Sequence, residues 1–264
     1  MGIDLEYGAV LPHNEIGTDV GAIKAYLQGV EELGFTHLLA YDHVLGADRS
    51  RHAGFSGPYD KDVSFHEPLT FFAFAAGVTT SLDLVSTVLI LPQRQAALVA
   101  KQAAEVAILS DNRLRLGVGT GWNTVEYEAL GVPFERRGTL LDEHLAAWEG
   151  LWGETPSSFE GEHYAYEDAY FEPKAWRPDG PRIWLGGQSV HPRLLHRIVR
   201  HAHGFHPLGQ PSDEDLELLR DGLASAGRSL EELELVGGMS GSCRRATPSG
   251  GDSSGTSTTA LSSA

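Results

Sequence analysis

The chain has 264 residues, of which 41% are hydrophobic, and carries a formal net charge of −16 at pH 7. One (β/α)8 barrel needs about 250 residues, so this length accommodates one such domain or two smaller ones. The acidic excess argues against nucleic acid or a membrane surface as a partner, because both attract basic patches.

Cysteine content and the amino-terminal residues bear on the cellular compartment. Cys243 is the single cysteine, so an intrachain disulfide is excluded. The first residues have no basic, apolar leader, and no apolar run approaches the roughly 20 residues of a membrane span. We therefore expect a cytoplasmic protein.

Short apolar runs alternate with longer amphipathic runs through the first half of the chain. Strands are predicted over 7–11, 36–41, 84–91 and 113–118, and helices over 69–78, 96–109, 124–130 and 140–152. Another helix is predicted between Asp19, a plausible N-cap, and Gly34, a plausible stop. The polar segment 46–66 has no clear period and predicts a long functional loop.

The alternation continues beyond residue 150. The aromatic, Gly- and Pro-marked segment 155–181 predicts a small hairpin or cover. Strands are predicted over 182–185, 204–208 and 233–236, with helices from Pro192 and from Ser212, where Ser212-x-x-Asp215 resembles a capping box. Strands that alternate with helices predict an α/β fold with a parallel sheet.

The last 25 residues have a different composition. From Ser240 onward, 16 of 25 residues are Ser, Gly or Thr, with no apolar period. Such a segment cannot bury enough surface to offset its ordering entropy. We therefore predict a barrel domain over 1–239 and a disordered tail over 240–264.

Two predicted strands end in glycines just before a helix. Gly119-Thr120-Gly121, followed by Asn123, comes after the strand over 113–118, and Gly186-Gly187-Gln188-Ser189 comes after the strand over 182–185. Glycines there allow backbone amides to approach an anionic group at a helix N-terminus, although each can equally be a tight turn. The first lacks the GxGxxG dinucleotide pattern, because position 124 is Thr.

Three further features carry titratable groups. Asp42-His43 follows a strand, where a carboxylate beside an imidazole can exchange a proton or serve as a structural hydrogen-bonding pair. Arg137 could bind a cofactor phosphate, although a solvated ion pair is the commoner role of such a residue. His201-x-His203-x-x-His206 has metal-like spacing, but no acidic residue lies close in sequence, and we predict no metal site.

Taken in order, these segments resemble the luciferase-like flavin-dependent superfamily, and within it the deazaflavin (coenzyme F420) oxidoreductases. The resemblance covers roughly 7–238. It rests on Gly8-Ala9-Val10-Leu11-Pro12, Asp42-His43, Thr87-Val88-Leu89 with Pro92-x-Arg94, the run 117–123 with Glu126, Arg137-Gly138 with Asp142-Glu143, and the run 184–189.

The resemblance implies a (β/α)8 TIM-type barrel that forms a homodimer. It also implies that the barrel binds its cofactor and a small-molecule substrate at the carboxyl ends of the strands. It implies a non-proline cis peptide at Thr87–Val88. His43 would be the catalytic acid or base, with Asp42 orienting it or binding the cofactor. The implied cofactor-binding residues are Thr87, Val88, Gly119, Thr120, Gly121, Asn123, Arg137, Gly186, Gly187, Gln188 and Ser189.

The chain departs from this family at its end, because the Ser/Gly/Thr-rich tail stands where such barrels have their eighth βα unit. We therefore expect a barrel without a normal eighth unit, from a shortened protein or an altered reading frame. Three functions follow: an F420-dependent oxidoreductase, an FMN-dependent monooxygenase that uses reduced flavin and oxygen, or a non-catalytic barrel. The Asp42-His43 pair and the turn 186–189 favour F420.

Overall fold

The computed structural model describes residues 6–175, 177 and 180–237, together with the backbone of 241–242 and 257–260. The strands of these residues are β1 (Tyr7–Val10), β2 (His37–Ala40), β3 (Asp83–Ser86), β4 (Leu89–Ile90), β5 (Leu114–Gly119), β6 (Ser157–Glu160), β7 (Ala165–Ala169), β8 (Arg182–Gly187), β9 (Gly204–Pro207), β10 (Glu234–Leu235), β11 (Gly241–Ser242) and β12 (Ser257–Ala260). The helices are α1 (Val20–Glu32), α2 (Pro68–Val78), α3 (Ala96–Leu109), α4 (Thr124–Ala129), α5 (Arg137–Trp152), α6 (Pro192–His201) and α7 (Asp213–Ser225).

The main sheet is parallel in the order β10-β9-β8-β5-β3-β2-β1, and β4 also pairs with β5. Helices connect its successive strands, and the sheet curls into a half-barrel. This arrangement confirms the α/β, TIM-type fold class, because parallel strands joined by helices bury both faces of such a sheet. The predicted hairpin is also present, as the antiparallel pair β6 and β7.

The position expected for an eighth βα unit is occupied differently. The backbone of β12 pairs antiparallel with β1, with Tyr7 opposite Ala260, and β11 pairs antiparallel with β12. The rest of the predicted tail lies outside the described residues. The domain division at residue 239 and the disorder of 240–264 therefore stay predictions.

Several local sequence signals are confirmed. Oδ1 of Asp19 accepts a hydrogen bond from the Ala22 amide at 2.7 Å and caps α1, and Gly34 beyond its end has a φ of +83°. Ser212 and Asp215 form both bonds of a capping box at α7. The predicted strand over 84–91 is wrong in one respect, because β3 and β4 are separate strands on either side of a cis Thr87–Val88 peptide.

Helices α3 and α5 pack closely against the outside of the sheet. The alanines of α3 leave room for the indoles of α5, and Trp148 donates from Nε1 to the Ala96 carbonyl at 3.0 Å. The rings of Trp148 and Trp152 lie 4.7 Å apart between centroids, and both are buried. Of the helices in the described part of the chain, none is long and apolar enough to cross a membrane.

Glu31, at the end of α1, fastens the turn between α2 and β3. Its Oε1 accepts hydrogen bonds from the amides of Thr80, Ser81 and Leu82 at 2.8, 2.5 and 3.2 Å. Partial burial alone would raise the pKa of Glu31, but these hydrogen bonds outweigh it and hold the pKa below its usual value. Hydrogen bonds to the ionised Glu31 carboxylate therefore stabilise this turn.

We expect Glu31→Gln to lower the free energy of unfolding at pH 7 by about 1 kcal/mol, because the charge-assisted bonds become neutral ones. A depressed carboxyl pKa adds stability above the pKa of the unfolded chain and loses it as pH falls through the folded pKa. The wild-type advantage in urea unfolding followed by circular dichroism should therefore shrink as the pH is lowered below the usual carboxyl pKa of 4.5. A difference that does not change with pH would show that ionisation of Glu31 contributes nothing.

Candidate active site

A cavity of about 590 Å³ opens at the carboxyl ends of the parallel strands. Residues that follow β2, β3, β5, β8 and β9 form its walls, as expected for the catalytic face of a barrel. It is lined by Tyr41, Asp42, His43, Pro58, Tyr59, Thr87, Val88, Ile90, Gly119, Thr120, Gly121, Trp122, Asn123, Glu126, Gly186, Gly187, Gln188, His206 and Leu208.

A histidine–carboxylate pair occupies one wall. His43 Nδ1 lies 3.1 Å from Oε1 of Glu126, which also accepts from the amides of Val44 and Leu45 at 2.9 and 3.2 Å. Gln93 donates to the other carboxylate oxygen at 3.4 Å. Because an ionised carboxylate can only accept, Nδ1 of His43 is the donor, and Nε2 carries the lone pair in the neutral ring.

Glu126 is held in its ionised form. Burial alone would raise the pKa of this carboxyl, but the hydrogen bonds from His43 and the amides of Leu45 and Val44 hold it below its usual value. Glu126 lies in the first turn of α4, whose N-cap Asn123 accepts from the Val125 and Glu126 amides at 3.1 and 3.4 Å. The resemblance included Glu126, but its partnership with His43 was not predicted. The sequence did contain a signal for Glu126 as a site residue. It is an acidic residue three positions after the N-cap Asn123, which follows a glycine turn.

Asp42 does not orient His43, and that part of the sequence prediction is wrong. Its buried carboxylate accepts from Arg94 at 2.8 Å and from the Ile90 amide at 2.8 Å. Burial raises the pKa of Asp42, and the Arg94 guanidinium opposes that rise. Asp42 holds the segment after the cis peptide in place, because it accepts the hydrogen bond from the Ile90 amide. Glu126 is the carboxylate that contacts His43.

Aromatic side chains surround the imidazole of His43. Ring centroids of Tyr59, Phe65 and Trp122 lie 5.3, 4.7 and 5.3 Å from that of His43. Two of these residues belong to the long loop over 46–66, which was predicted to shape the pocket. A Cβ on Gly57 would overlap the Trp122 ring, so the loop also packs against the glycine turn that follows β5.

Another part of the cavity wall is built around Val88, which belongs to the predicted cis Thr87–Val88 peptide. A Cβ on Gly119 would lie 2.7 Å from one Val88 methyl, and a Cβ on Gly186 would lie 2.5 Å from the other. Gly121, with a φ of +66°, leaves space in the same way for Ile90. The glycines of the two turns are therefore required by packing against this segment, in addition to any contact with a ligand.

A smaller pocket of about 300 Å³ adjoins the large cavity and shares Thr120, Gly186, Gly187 and Gln188 with it. Ser189 and Arg197 also line this pocket. Arg197 donates from Nε and Nη2 to Asp142 at 2.5 and 3.1 Å, and from Nη2 to the Gly138 carbonyl at 3.0 Å. A guanidinium beside backbone amides and hydroxyls is a suitable environment for an anionic group.

The structure therefore brings most of the predicted site residues together. The residues that line the large cavity are His43, Asp42, Thr87, Val88, Gly119, Thr120, Gly121, Asn123, Gly186, Gly187 and Gln188, and Ser189 lines the adjoining pocket. Arg137 lines neither, because its guanidinium stacks 3.8 Å over the Phe134 ring and donates to the Phe134 carbonyl. Arg197, on α6, is the arginine at the pocket and was not predicted.

Two buried polar atoms on the cavity walls have no hydrogen-bond partner within the part of the chain described. They are Oγ1 of Thr87 and Nδ1 of His206. Burial lowers the pKa of His206 to about 4, so this ring is neutral at pH 7. Buried polar atoms without partners are rare, and both residues line the cavity. Among the described residues, no group of three or more His, Cys, Asp or Glu could hold a metal ion.

A curled parallel sheet with helical connections and a cavity at the carboxyl ends of its strands defines the TIM-type class of fold. Residues 6–246 match the family described as luciferase-like monooxygenase, and the chain belongs to this family.

Two relatives illustrate the sequence similarity. Over 173 residues the chain is 32% identical to Rv0953c of Mycobacterium tuberculosis (strain ATCC 25618 / H37Rv), a match that covers 65% of this chain and 61% of that protein. Over 138 residues it is 30% identical to the FMNH(2)-dependent dimethylsulfone monooxygenase of Pseudomonas putida, covering 51% and 38%. The matches thus span less than two thirds of the length of either relative.

Solved structures show the same fold at lower identity. The monooxygenase RslO1 from Streptomyces bottropensis superposes with a TM-score of 0.71 at 22% identity, covering 87% of this chain and 70% of that one. The coenzyme F420 dependent tetrahydromethanopterin reductase from Methanopyrus kandleri superposes with a TM-score of 0.64 at 19% identity, covering 90% and 66%.

Proposed function

We propose that this protein is an F420-dependent oxidoreductase that transfers hydride between the deazaflavin and a small organic substrate. The observation that carries the proposal is the His43–Glu126 pair on the wall of the large cavity, which Val88 also lines. The similarity in fold to an F420 dependent reductase supports it. The homodimer and the cytoplasmic location stay predictions.

The residues present fit a cofactor with a tricyclic ring and a phosphate-bearing chain. The large cavity would hold the ring beside Val88, Gly119 and Gly186. The adjoining pocket would hold the anionic chain, with Gln188 and Arg197 as its polar groups. Thr87 and His206, each with a buried polar atom that has no partner among the described residues, line the same cavity.

A bound deazaflavin supplies the hydride chemistry. His43 contributes a proton site at Nε2, because Nδ1 is occupied by Glu126. Ionised Glu126 fixes the tautomer of the neutral ring and stabilises the imidazolium that forms when Nε2 takes a proton. Tyr59 and Trp122 pack around this imidazole, whose side chain is 10% exposed, and limited access of water strengthens electrostatic interactions.

An FMN-dependent monooxygenase is the second candidate function. It is favoured by the Pseudomonas putida relative, whose printed name states dependence on FMNH(2). The same ring and phosphate contacts would serve FMN, so the cavity walls support both cofactors. A non-catalytic barrel, the third candidate, predicts that neither cofactor binds.

Cofactor binding to the purified protein tests all three candidates. We expect quenching of F420 fluorescence on titration with protein, and much weaker binding of FMN in a parallel titration. Gly186→Ala should weaken F420 binding about tenfold or more, because the new methyl group displaces Val88. Gly77→Ala, a helical substitution with open space around its Cβ, is the matched control and should bind as the wild type does.

Tighter binding of FMN than of F420 would replace the proposal with the monooxygenase. Binding of neither would leave the non-catalytic barrel. Equal effects of Gly186→Ala and Gly77→Ala would place the cofactor away from Val88.

A further inference from the structure

The walls of the large cavity carry no free positive charge. Among the described residues that line it, none is Lys or Arg. Arg94 lies behind the wall and is engaged by two carboxylates, Asp42 at 2.8 Å and Glu67 at 3.0 Å. An anionic substrate would therefore lose its hydration in this cavity without gaining a cationic partner.

The cavity also offers no free carboxylate to a cation. The oxygens of Glu126 accept from His43, two backbone amides and Gln93, and those of Asp42 accept from Arg94 and the Ile90 amide. The two side chains are only 1% and 2% exposed, so an ammonium group has almost no access to their oxygens. A cationic substrate is therefore disfavoured as well.

The same cavity has flat aromatic surfaces near its mouth. Tyr41 and Tyr59 have ring centroids 6.0 Å apart, and the Trp122 ring contacts His43 on the same side. Pro58 lines this region, and Leu208, which is 75% exposed, lines the cavity as well. Aromatic faces favour stacking with a planar partner.

We infer that the substrate of this site is an uncharged, planar, conjugated molecule bearing a carbonyl or hydroxyl group. The aromatic rings would stack on its plane, and Nε2 of His43 would accept a hydrogen bond from its hydroxyl group or, in the imidazolium form, donate one to its carbonyl oxygen. The inference rests on the proposed function for the reaction, but it concerns the walls of the cavity and can be tested by binding alone.

Three probes of one shape and different charge test the inference. They are 2-acetylnaphthalene, which is neutral, 2-naphthoate, which is anionic, and 2-naphthylmethylammonium, which is cationic. Isothermal titration calorimetry would measure each, with and without saturating cofactor. We expect the ketone to bind about tenfold tighter than either charged probe, because a charge without a partner is costly to desolvate.

Tyr59→Leu should weaken binding of the ketone about fivefold, because a stacking surface is lost. Tyr170→Leu, which removes a 75% exposed aromatic ring outside the cavity lining, is the matched control and should leave binding unchanged. Tighter binding of naphthoate or of the ammonium probe would overturn the inference. So would equal effects of the two substitutions, or displacement of the ketone by saturating cofactor.

A parallel cofactor titration separates this inference from the proposed function. If neither F420 nor FMN binds while the ketone preference and the Tyr59 effect hold, the proposed function fails and the ligand class stands. If a cofactor binds while a charged probe is preferred, only the inference fails.

Discussion

Glu126→Gln is expected to lower turnover about 10²–10³-fold while the protein stays folded, because loss of an orienting carboxylate removes most of the acid–base contribution. The amide is neutral, so it neither fixes the His43 tautomer as firmly nor stabilises its imidazolium. Its carbonyl oxygen can still accept from the Val44 and Leu45 amides, which keeps the local backbone in place. The measurement is steady-state kcat with the cofactor that binds and a substrate it reduces.

A double substitution separates a paired function from two independent ones. His43→Ala should cost a similar factor, and the double variant with Glu126→Gln should be no slower than the worse single one. Such non-additivity is the signature of residues that act as a unit.

Glu143→Gln is the matched control for this series. The Glu143 carboxylate also accepts backbone amides, from Glu162, His163 and Tyr164 at 2.7, 2.8 and 3.1 Å, but it lines neither pocket. It should leave turnover within about twofold of wild type, because it affects only the attachment of the β6–β7 hairpin. Turnover lost equally in Glu126→Gln and Glu143→Gln would show a structural effect and contradict the role of Glu126.

Gly117→Ala is expected to destabilise the protein by more than about 3 kcal/mol, beyond the usual range for an added methyl group in a core. Gly117 lies in the middle of β5, and a Cβ there would overlap the backbone carbonyl oxygen of Ser86 on β3. A side chain can rotate away from such an overlap, but a backbone atom in a sheet cannot without moving the strand. Urea unfolding measured by circular dichroism gives the difference.

Gly29→Ala is the control for an added methyl group without a clash. Gly29 lies within α1, and its Cβ would meet no atom within 4 Å. It should stabilise the protein by about 0.5–1 kcal/mol, because alanine is the better helix former. If Gly117→Ala unfolds at the same urea concentration as wild type, the close approach of β3 and β5 at this position is wrong.

Much of the fold was predictable because it depends on neighbours in sequence. The N-cap at Asp19, the stop at Gly34 and the capping box at Ser212 are each formed by residues a few positions apart. Strands were predictable because both faces of a parallel sheet are buried, which leaves long apolar runs. The glycine turns were predictable as strand ends for the same local reason.

The pairing of His43 with Glu126 depended on the tertiary structure. His43 and Glu126 are 83 positions apart. The hydrogen bond between them forms because the parallel strands β2 and β5 have their carboxyl ends at the same edge of the sheet. Asp42 was the sequence neighbour of His43, but its carboxylate accepts from Arg94, 52 positions away, instead. Arg197 also reaches its site through the tertiary structure. It lies on α6, beyond the glycine turn 186–189, and its side chain lines the smaller pocket together with that turn.

The sequence by itself determined the alternation of strands and helices, the α/β class and the positions of the glycine turns, because side-chain period and capping act over a few residues. Only the tertiary structure decided which carboxylate contacts His43, which arginine reaches the pocket and that the cavity walls carry no free charge. Those outcomes depend on the curvature of the sheet and the path of the loop over 46–66, which are set by contacts between residues far apart in the chain.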